Sequence, residues 1–158
     1  MKEKILIIVI ILLIIIFTVI GVTFIDSNKD KQINPQTLIE ELINSSIFED
    51  NLSQIDKETI IKKYEFNNEK IKNIYSYMGT GATAEEILIV ELYNSDDIKE
   101  FENIIEQKIE ERKLDFQNYL PDEVFKLENY NLENVGNYII LCISNDYSKA
   151  QNIISKNS

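Results

Sequence analysis

Histidine is missing from the sequence, and among its 158 residues there is a single cysteine, Cys142. Zinc sites of the usual kind use Cys and His side chains, and a Ser-His-Asp triad needs an imidazole, so neither can be built here. One cysteine also cannot form a disulfide within the chain. The commonest kinds of metal and nucleophilic sites are therefore excluded.

Positive charge is also scarce. The chain has 16 Lys and Arg residues against 27 Asp and Glu residues, which gives a net charge of -11 at pH 7. Such a field repels phosphate backbones and anionic lipid headgroups, and no basic stripe offsets it. Nucleic-acid binding is therefore excluded. Because no cofactor fingerprint is present either, we expect no cofactor.

The sequence has one long hydrophobic run, over residues 5–25. A helix of this length, at about 1.5 Å per residue, spans about 31 Å. This length matches the hydrocarbon core of a bilayer, about 30 Å thick. We expect residues 1–25 to form a membrane anchor with one transmembrane helix, so that the membrane itself is a partner through residues 5–25.

A cleaved signal peptide is the competing interpretation of this run. Signal peptides have an apolar stretch of about 7–15 residues followed by small residues at the cleavage site. The present stretch is longer and ends in Thr23-Phe24-Ile25-Asp26. The uncleaved anchor is therefore favoured.

The orientation of the anchor follows from the charges that flank it. Lys2 and Lys4 precede the run and Lys29 and Lys31 follow it, and the α-amino group adds one positive charge to the N-terminal side. Positive flanks stay in the cytoplasm. We expect a polar tether over residues 26–33 and a domain over residues 34–158, both on the extracytoplasmic side of the cell membrane.

Helical periodicity recurs in four parts of this domain. Asn34 followed by Pro35 is typical of a helix N-terminus. A long apolar face begins at Ile98 and repeats every three or four residues until Pro121 interrupts it. The predicted helices cover residues 35–46, 58–64, from 98 to about 118, and from 146 or 148 towards the C-terminus.

Strand patterns occupy the remaining segments. Residues 87–92 and 137–144 are apolar at successive positions, which is typical of strands covered on both faces. Residues 71–78 and 123–132 are predicted to pair with them as hairpins. The order of elements predicts an α+β domain with a four-stranded, largely antiparallel sheet and with helices packed mainly on one face.

Three stretches of the domain resemble a known family when they are taken together. The first stretch, Gly79 to Ile87, leads into a predicted strand. The second consists of Arg112, residues 119–123 and Lys126-Leu127. The third begins at Gly136 to Tyr138, which open a predicted strand, and ends at residues 144–146. This succession, over about residues 35–155, resembles the domain-of-unknown-function family numbered 4358 of clostridia and related Gram-positive bacteria. The resemblance implies an extracytoplasmic, membrane-attached protein, and it implies no reaction. Relatives are often lipid-anchored, whereas this chain has no cysteine that could accept a lipid after its apolar run.

The loop Gly79-Thr80-Gly81 is one candidate for a ligand site. Glycines let backbone amides approach an anion such as phosphate. The loop lacks the further glycines and the lysine of a P-loop, and it joins two predicted strands instead of a strand and a helix. A tight structural turn is the favoured interpretation, and a ligand contact is the alternative.

Glu85, Glu86 and Arg112 are the other candidates. Adjacent residues on a strand point to opposite faces, so the two glutamates are not expected to act as a pair on one substrate. Arg112 interrupts the apolar face of the long helix, where a guanidinium must find a partner. An ion pair with Glu85 or Glu86 that ties the helix to a sheet edge is favoured over an anion site.

The sequence therefore predicts a membrane-anchored protein without its own chemistry, an interaction or sensing module of the cell envelope with an envelope protein as its partner. The general base used most often, histidine, is absent, and no pair of catalytic acids is recognisable. We expect no enzymatic activity. The alternative function is a small-ligand-binding protein or an enzyme that works through carboxylates and Arg112, or through the loop over residues 79–84.

Overall fold

The first helix of the domain begins where the sequence predicts it. The computed structural model describes residues 32–158. Asn34 caps this helix, since its side chain accepts a hydrogen bond from the Thr37 amide, and Pro35 occupies the first turn. The predicted anchor over residues 5–25 and tether residues 26–31 lie outside the described residues. No helix between residues 32 and 158 combines the length and hydrophobicity needed to span a bilayer.

Five helices are present in this part of the chain, and most begin at a side-chain cap or at a tight turn. Asp56 caps the second helix and Asp146 caps the last one. Asn94 caps a short 3₁₀ turn that leads into the third helix, which ends at Tyr119, just before Pro121. The helices are α1 (Pro35–Asn44), α2 (Lys57–Tyr64), α3 (Ile98–Tyr119), α4 (Val124–Glu128) and α5 (Tyr147–Lys156).

The sheet is antiparallel throughout, so the predicted α+β class is confirmed. Its strands lie in the order β1-β2-β3-β5-β4. The two hairpins β2–β3 and β4–β5 pair with each other through β3 and β5. The strands are β1 (Ser53–Gln54), β2 (Ile71–Met78), β3 (Glu86–Leu92), β4 (Asn131–Val135) and β5 (Tyr138–Ile143).

The predicted number of four strands is wrong, because the described sheet has five. The additional strand, β1, has only two residues, and both are exposed. It pairs Ser53 with Met78 and Gln54 with Tyr77 at the end of β2. So short and polar a segment carries no alternation of apolar residues from which a strand could be predicted.

The predicted strand over residues 123–132 is also wrong for most of its length. Pro121 to Glu123 form a 3₁₀ turn, α4 follows, and β4 begins only at Asn131. Proline is favoured at the first position of a helical segment, and here it starts a new helical turn immediately after ending α3. The difference matters for the site, because it places Lys126 on a helix.

Helices cover both faces of the sheet, which corrects the prediction that they pack mainly on one. Leu88 and Val90 of β3 pack in a core with residues of α2 and α3, whereas Ile87 and Ile89 pack in a second core with residues of α1 and α5. All seven residues of β3 are buried. The double burial predicted from the apolar runs of β3 and β5 is therefore confirmed.

Candidate functional site

Two buried glutamates stand side by side where β3 begins. Glu85 immediately precedes the strand and is 1% exposed, and Glu86 is its first residue and is 0% exposed. They bind entirely different groups, Glu86 on the side of α2 and α3 and Glu85 on the side of α4 and the segment after α1. Each glutamate is thus the centre of a separate cluster.

The Glu86 cluster consists of Glu86, Lys63, Tyr64 and Arg112. One carboxylate oxygen accepts from Arg112 Nη1 at 2.7 Å and from Lys63 Nζ at 2.8 Å. The other accepts from the Tyr64 hydroxyl at 2.9 Å. A buried carboxylate needs such compensation, because desolvation of an unpaired charge costs several kcal/mol.

Arg112 closes this cluster from the long helix. Its second terminal nitrogen, Nη2, donates to the backbone carbonyl of Ala84 at 3.0 Å, and its side chain is 16% exposed. The guanidinium therefore joins α3 to the start of β3 by two bonds. The strand that it reaches is the central one of five, so the predicted position at a sheet edge is wrong, while the ion pair itself is present.

The ionisation of the Glu86 cluster follows from burial and from the neighbouring charges. Burial acts to raise the pKa of Glu86, but Lys63 and Arg112 outweigh it and hold the pKa below its ordinary value of 4.5. Burial lowers the pKa of Lys63 despite the nearby carboxylate. Burial raises the pKa of Tyr64 well above its usual range, and the adjacent Glu86 adds to the effect. Neutral pH therefore leaves Glu86 ionised and Tyr64 protonated.

The Glu85 cluster consists of Glu85, Lys126, Glu49 and Glu123. The backbone amides of Glu49 and Asp50 donate to the Glu85 carboxylate at 2.9–3.0 Å. Lys126 Nζ lies 3.1 Å from a carboxylate oxygen of each of the three glutamates. Three carboxylates therefore surround one ammonium group, which is itself buried.

Glu123 and Lys126 fasten the short helix α4 to the rest of the domain. A carboxylate oxygen of Glu123 accepts a hydrogen bond from the Ala84 amide at 2.7 Å. Burial opposes the charge on Lys126, but its bonds to Glu123, Glu85 and Glu49 raise the pKa of Lys126 above the ordinary value. The lysine therefore stays charged and holds the three acids together.

The loop over residues 79–84 is held in a tight turn by Asp50. Its carboxylate accepts from the Thr80 amide at 2.6 Å, from the Thr80 hydroxyl at 2.7 Å and from Thr83 at 3.2 Å. A Cβ on Gly79 would lie 2.3 Å from Thr83 Oγ1, whereas a Cβ on Gly81 would meet nothing within 4 Å. The turn therefore needs glycine at position 79, where there is no space for a side chain. The Thr80 amide, which could have bound an anion, donates its hydrogen bond to the carboxylate of Asp50.

A pocket of about 160 Å³ adjoins Arg112 on the surface of α3. It is lined by Lys63, Lys108, Glu111, Arg112 and Asp115. Lys108 is paired with Glu65 and Glu111. Glu85 and Glu86 do not line this pocket, so it brings together Arg112 and surface carboxylates, but not the two buried glutamates.

The structure distributes the six residues that the sequence singles out over three places, and it brings Arg112 and Glu86 together. Gly79, Thr80 and Gly81 lie in the turn bound to Asp50, Glu85 binds Lys126, and Arg112 binds Glu86. A ligand contact by any of them stays a prediction.

Sequence reasoning missed Lys63, Lys126, Glu123 and Asp50. For the pair Glu123 and Lys126 a signal exists, since a spacing of three residues after a proline is typical of a charged pair on a helical turn. The contact of Asp50 with Thr80 joins segments 30 residues apart, and no local pattern indicates it.

Between residues 32 and 158 no group of His, Cys, Asp and Glu side chains is arranged to hold a metal ion. Cys142 is buried in β5, and burial raises the pKa of its thiol to about 12. A thiol that stays protonated at neutral pH is a weak nucleophile. Its environment is that of a small core residue.

Comparison with the curated proteins and with the solved structures found no match. A family model described as a domain of unknown function, DUF4358, matches residues 44–144. The resemblance stated from residues 79–87, 112–127 and 136–146 is thereby confirmed. Because the match spans more than half of the 158 residues, the chain belongs to the DUF4358 family.

Proposed function

We propose that the protein is a membrane-anchored, extracytoplasmic interaction module of the cell envelope that carries out no chemistry of its own. The apolar run over residues 5–25 supports the anchor, because its length fits a bilayer. Exposed aromatic side chains in the described domain, among them Phe125 and Tyr147, support a role in contacts with other proteins.

The observation that carries this proposal is the use of the buried charges within the fold. Glu85, Glu86, Lys126 and Arg112 bind one another and the backbone, and the first three are nearly inaccessible to solvent. General acid–base catalysis needs a titratable group within reach of a substrate. Carboxylates sealed in internal ion pairs stabilise the fold instead.

A second candidate function is the binding of a small anion or zwitterion beside Arg112. The pocket of about 160 Å³ favours it, because Arg112, Lys63 and Lys108 line it together. Glu111 and Asp115 line the same pocket and oppose an anion there. The substitution Asp115→Asn would strengthen binding of an anion at this pocket, and titration of the full chain with inorganic phosphate and acetate would detect it.

The anchor and its orientation are tested by adding a protease to intact protoplasts that express the full chain. We expect digestion of residues 26–158, while a cytoplasmic marker protein in the same cells stays intact. The chain should also stay with the membranes after washing in carbonate. Full protection from the protease contradicts the orientation, and release by carbonate contradicts the anchor.

A further inference from the structure

Exposed apolar side chains gather at the end of the domain where β3 begins. Phe125 of α4 is 52% exposed and Tyr147 of α5 is 40% exposed. Their rings meet edge to face with centroids 6.5 Å apart. Ile43, near the C-terminal end of α1, is 40% exposed as well.

A pocket of about 300 Å³ opens at the same end. Its walls are formed by Ile43, Ser46, Phe48, Glu49, Asp50, Asn51 and Leu52. Phe125 and Tyr147 do not line this pocket, but their sequence neighbours contact the segment that forms it: Lys126 binds Glu49, and the Asn145 amide donates to the Ile47 carbonyl at 3.0 Å. A cavity of about 150 Å³ is enough to hold a benzene ring, so this pocket has room for a large side chain.

The charge around this pocket is negative. Glu49, Glu85 and Glu123 share the single ammonium of Lys126, and Asp50 accepts hydrogen bonds only from uncharged donors. Lys149 is the second cation here, and its ammonium donates to the Ser45 carbonyl. Glu49 and Asp50 line the pocket, Glu85 and Glu123 are buried behind Glu49, and two ammonium groups lie among these four carboxylates. Glu49 is half exposed beside the apolar wall.

We propose that this surface, formed by Phe125, Tyr147 and the walls of the pocket over residues 43–52, binds a cationic segment of a partner protein that inserts one apolar side chain. The inference rests on the proposed interaction function and names its surface and the chemistry of the partner. Aromatic side chains are enriched at the centres of protein interfaces, and complementary charge at the rim selects the partner and speeds association. The negative charge at the rim of the pocket selects a partner with lysine and arginine side chains on either side of the inserted apolar residue.

The test uses the full chain in nanodiscs of zwitterionic lipid and three fluorescent ten-residue peptides. The first peptide has eight lysines around a central Phe-Phe, the second has glutamates in place of the lysines, and the third has Ser-Ser in place of Phe-Phe. Fluorescence anisotropy measures binding, and empty nanodiscs correct for contact with lipid. We expect saturable binding of the first peptide and binding at least about tenfold weaker for the other two.

Substitutions locate the bound peptide. The double variant Phe125→Ser, Tyr147→Ser and the single variant Glu49→Lys should each weaken binding of the first peptide by about tenfold or more. All three side chains are at least 40% exposed, and circular dichroism verifies that each variant is folded, because Glu49 also binds Lys126. Tyr93→Ser is the matched control, because Tyr93 is 70% exposed beyond the opposite end of β3, and it should leave binding unchanged.

Three outcomes overturn the proposal. The first is equal binding of the first and second peptides, and the second is binding that the double variant does not weaken. The third is a dimer crosslinked through Asn51→Cys, which would mean that a second copy occupies the surface. Asn51 is exposed and lines the pocket, whereas the native Cys142 is buried. None of these outcomes contradicts the anchored, extracytoplasmic position, which the protoplast experiment tests separately.

Discussion

The Glu85 cluster and the Glu86 cluster begin one residue apart and are built in opposite ways. Glu86 is one carboxylate bound by two cations and a hydroxyl, all of them side chains of α2 and α3. Glu85 belongs to three carboxylates around one lysine, and backbone amides supply most of its own hydrogen bonds. The two clusters therefore carry opposite excess charge although they begin at neighbouring residues.

The comparison shows two ways of keeping a carboxylate buried. Backbone amides are fixed by the course of the chain and bind an anion without adding a charge, whereas a side-chain cation must itself be desolvated. Glu86 depends on its cations, and Glu85 retains its amides if its cation is removed. The variants below separate these two kinds of support.

We expect the largest loss of stability from Glu86→Gln. The change leaves Lys63 and Arg112 close together without the negative charge between them, and breaking a buried ion pair costs about 3–5 kcal/mol. Urea unfolding of the full chain in mild detergent, followed by circular dichroism, measures the free energy. Glu106→Gln on the exposed side of α3 is the control and should change it by less than about 0.5 kcal/mol.

Lys126→Met should lower the free energy of unfolding by less, about 2–3 kcal/mol, although within residues 32–158 it removes the one cation in contact with Glu49, Glu85 and Glu123. Glu85 keeps the amides of Glu49 and Asp50, and Glu49 can turn towards solvent. The same unfolding experiment decides the order of the two variants. A loss equal to that of Glu86→Gln contradicts the stabilising role given to the amides.

Arg112→Lys isolates the geometry of the guanidinium from its charge. Lysine can keep an ion pair with Glu86, but it cannot also donate a second, parallel bond to the Ala84 carbonyl. We expect a loss of about 1–2 kcal/mol, the contribution of a hydrogen bond made by a charged group. An unfolding free energy equal to that of the native protein would mean that the bond to Ala84 adds nothing.

The pH dependence of stability should reveal the contribution of the Glu86 cluster. The folded-state pKa of Glu86 is lowered, so its contribution is fully present above the ordinary value of 4.5 and is lost as the pH falls through the lower, folded-state value. Unfolding measured between pH 7 and pH 2 should show a shallower acid loss in Glu86→Gln than in the native protein. Parallel curves for the two proteins contradict this assignment.

The smallest effects are expected in the turn over residues 79–84. In Gly81→Ala the added Cβ lies in open space, and alanine reduces the conformational freedom of the unfolded chain. We therefore expect the free energy of unfolding to rise by about 0.5 kcal/mol. Gly79→Ala must displace Thr83 from Asp50 and should destabilise by about 1 kcal/mol. Thermal unfolding of the two variants measures the difference, and equal effects would show that Asp50 does not set the turn.

Local signals made most of the helices predictable. Asn34 with Pro35, Asn94 and Asp146 are caps that a short stretch of sequence reveals, and the apolar face of α3 repeats over many turns. The continuous apolar runs likewise showed that β3 and β5 are covered on both sides. These features depend on neighbours in sequence, which periodicity can detect.

The remaining features depend on contacts between distant segments. β1 is a strand only because Ser53 and Gln54 meet the end of β2, and α4 forms where Glu123 and Lys126 reach Ala84 and Glu85. The sequence indicated that Arg112 needs a partner, but the choice of Glu86 over Glu85 depends on which face of β3 lies under α3. Pattern reasoning had no information on that orientation.

The backbone of Ala84 joins α3 to the segment before α4. Its amide donates to Glu123 and its carbonyl accepts from Arg112, so two successive peptide groups are held by side chains of different elements. A shift of α3 along its axis would displace Ala84 through its bond to Arg112. Through Glu123, this displacement would also reach α4 and the pair Phe125 and Tyr147. The backbone of one alanine thereby connects the surface beside Arg112 with the surface that carries Phe125 and Tyr147.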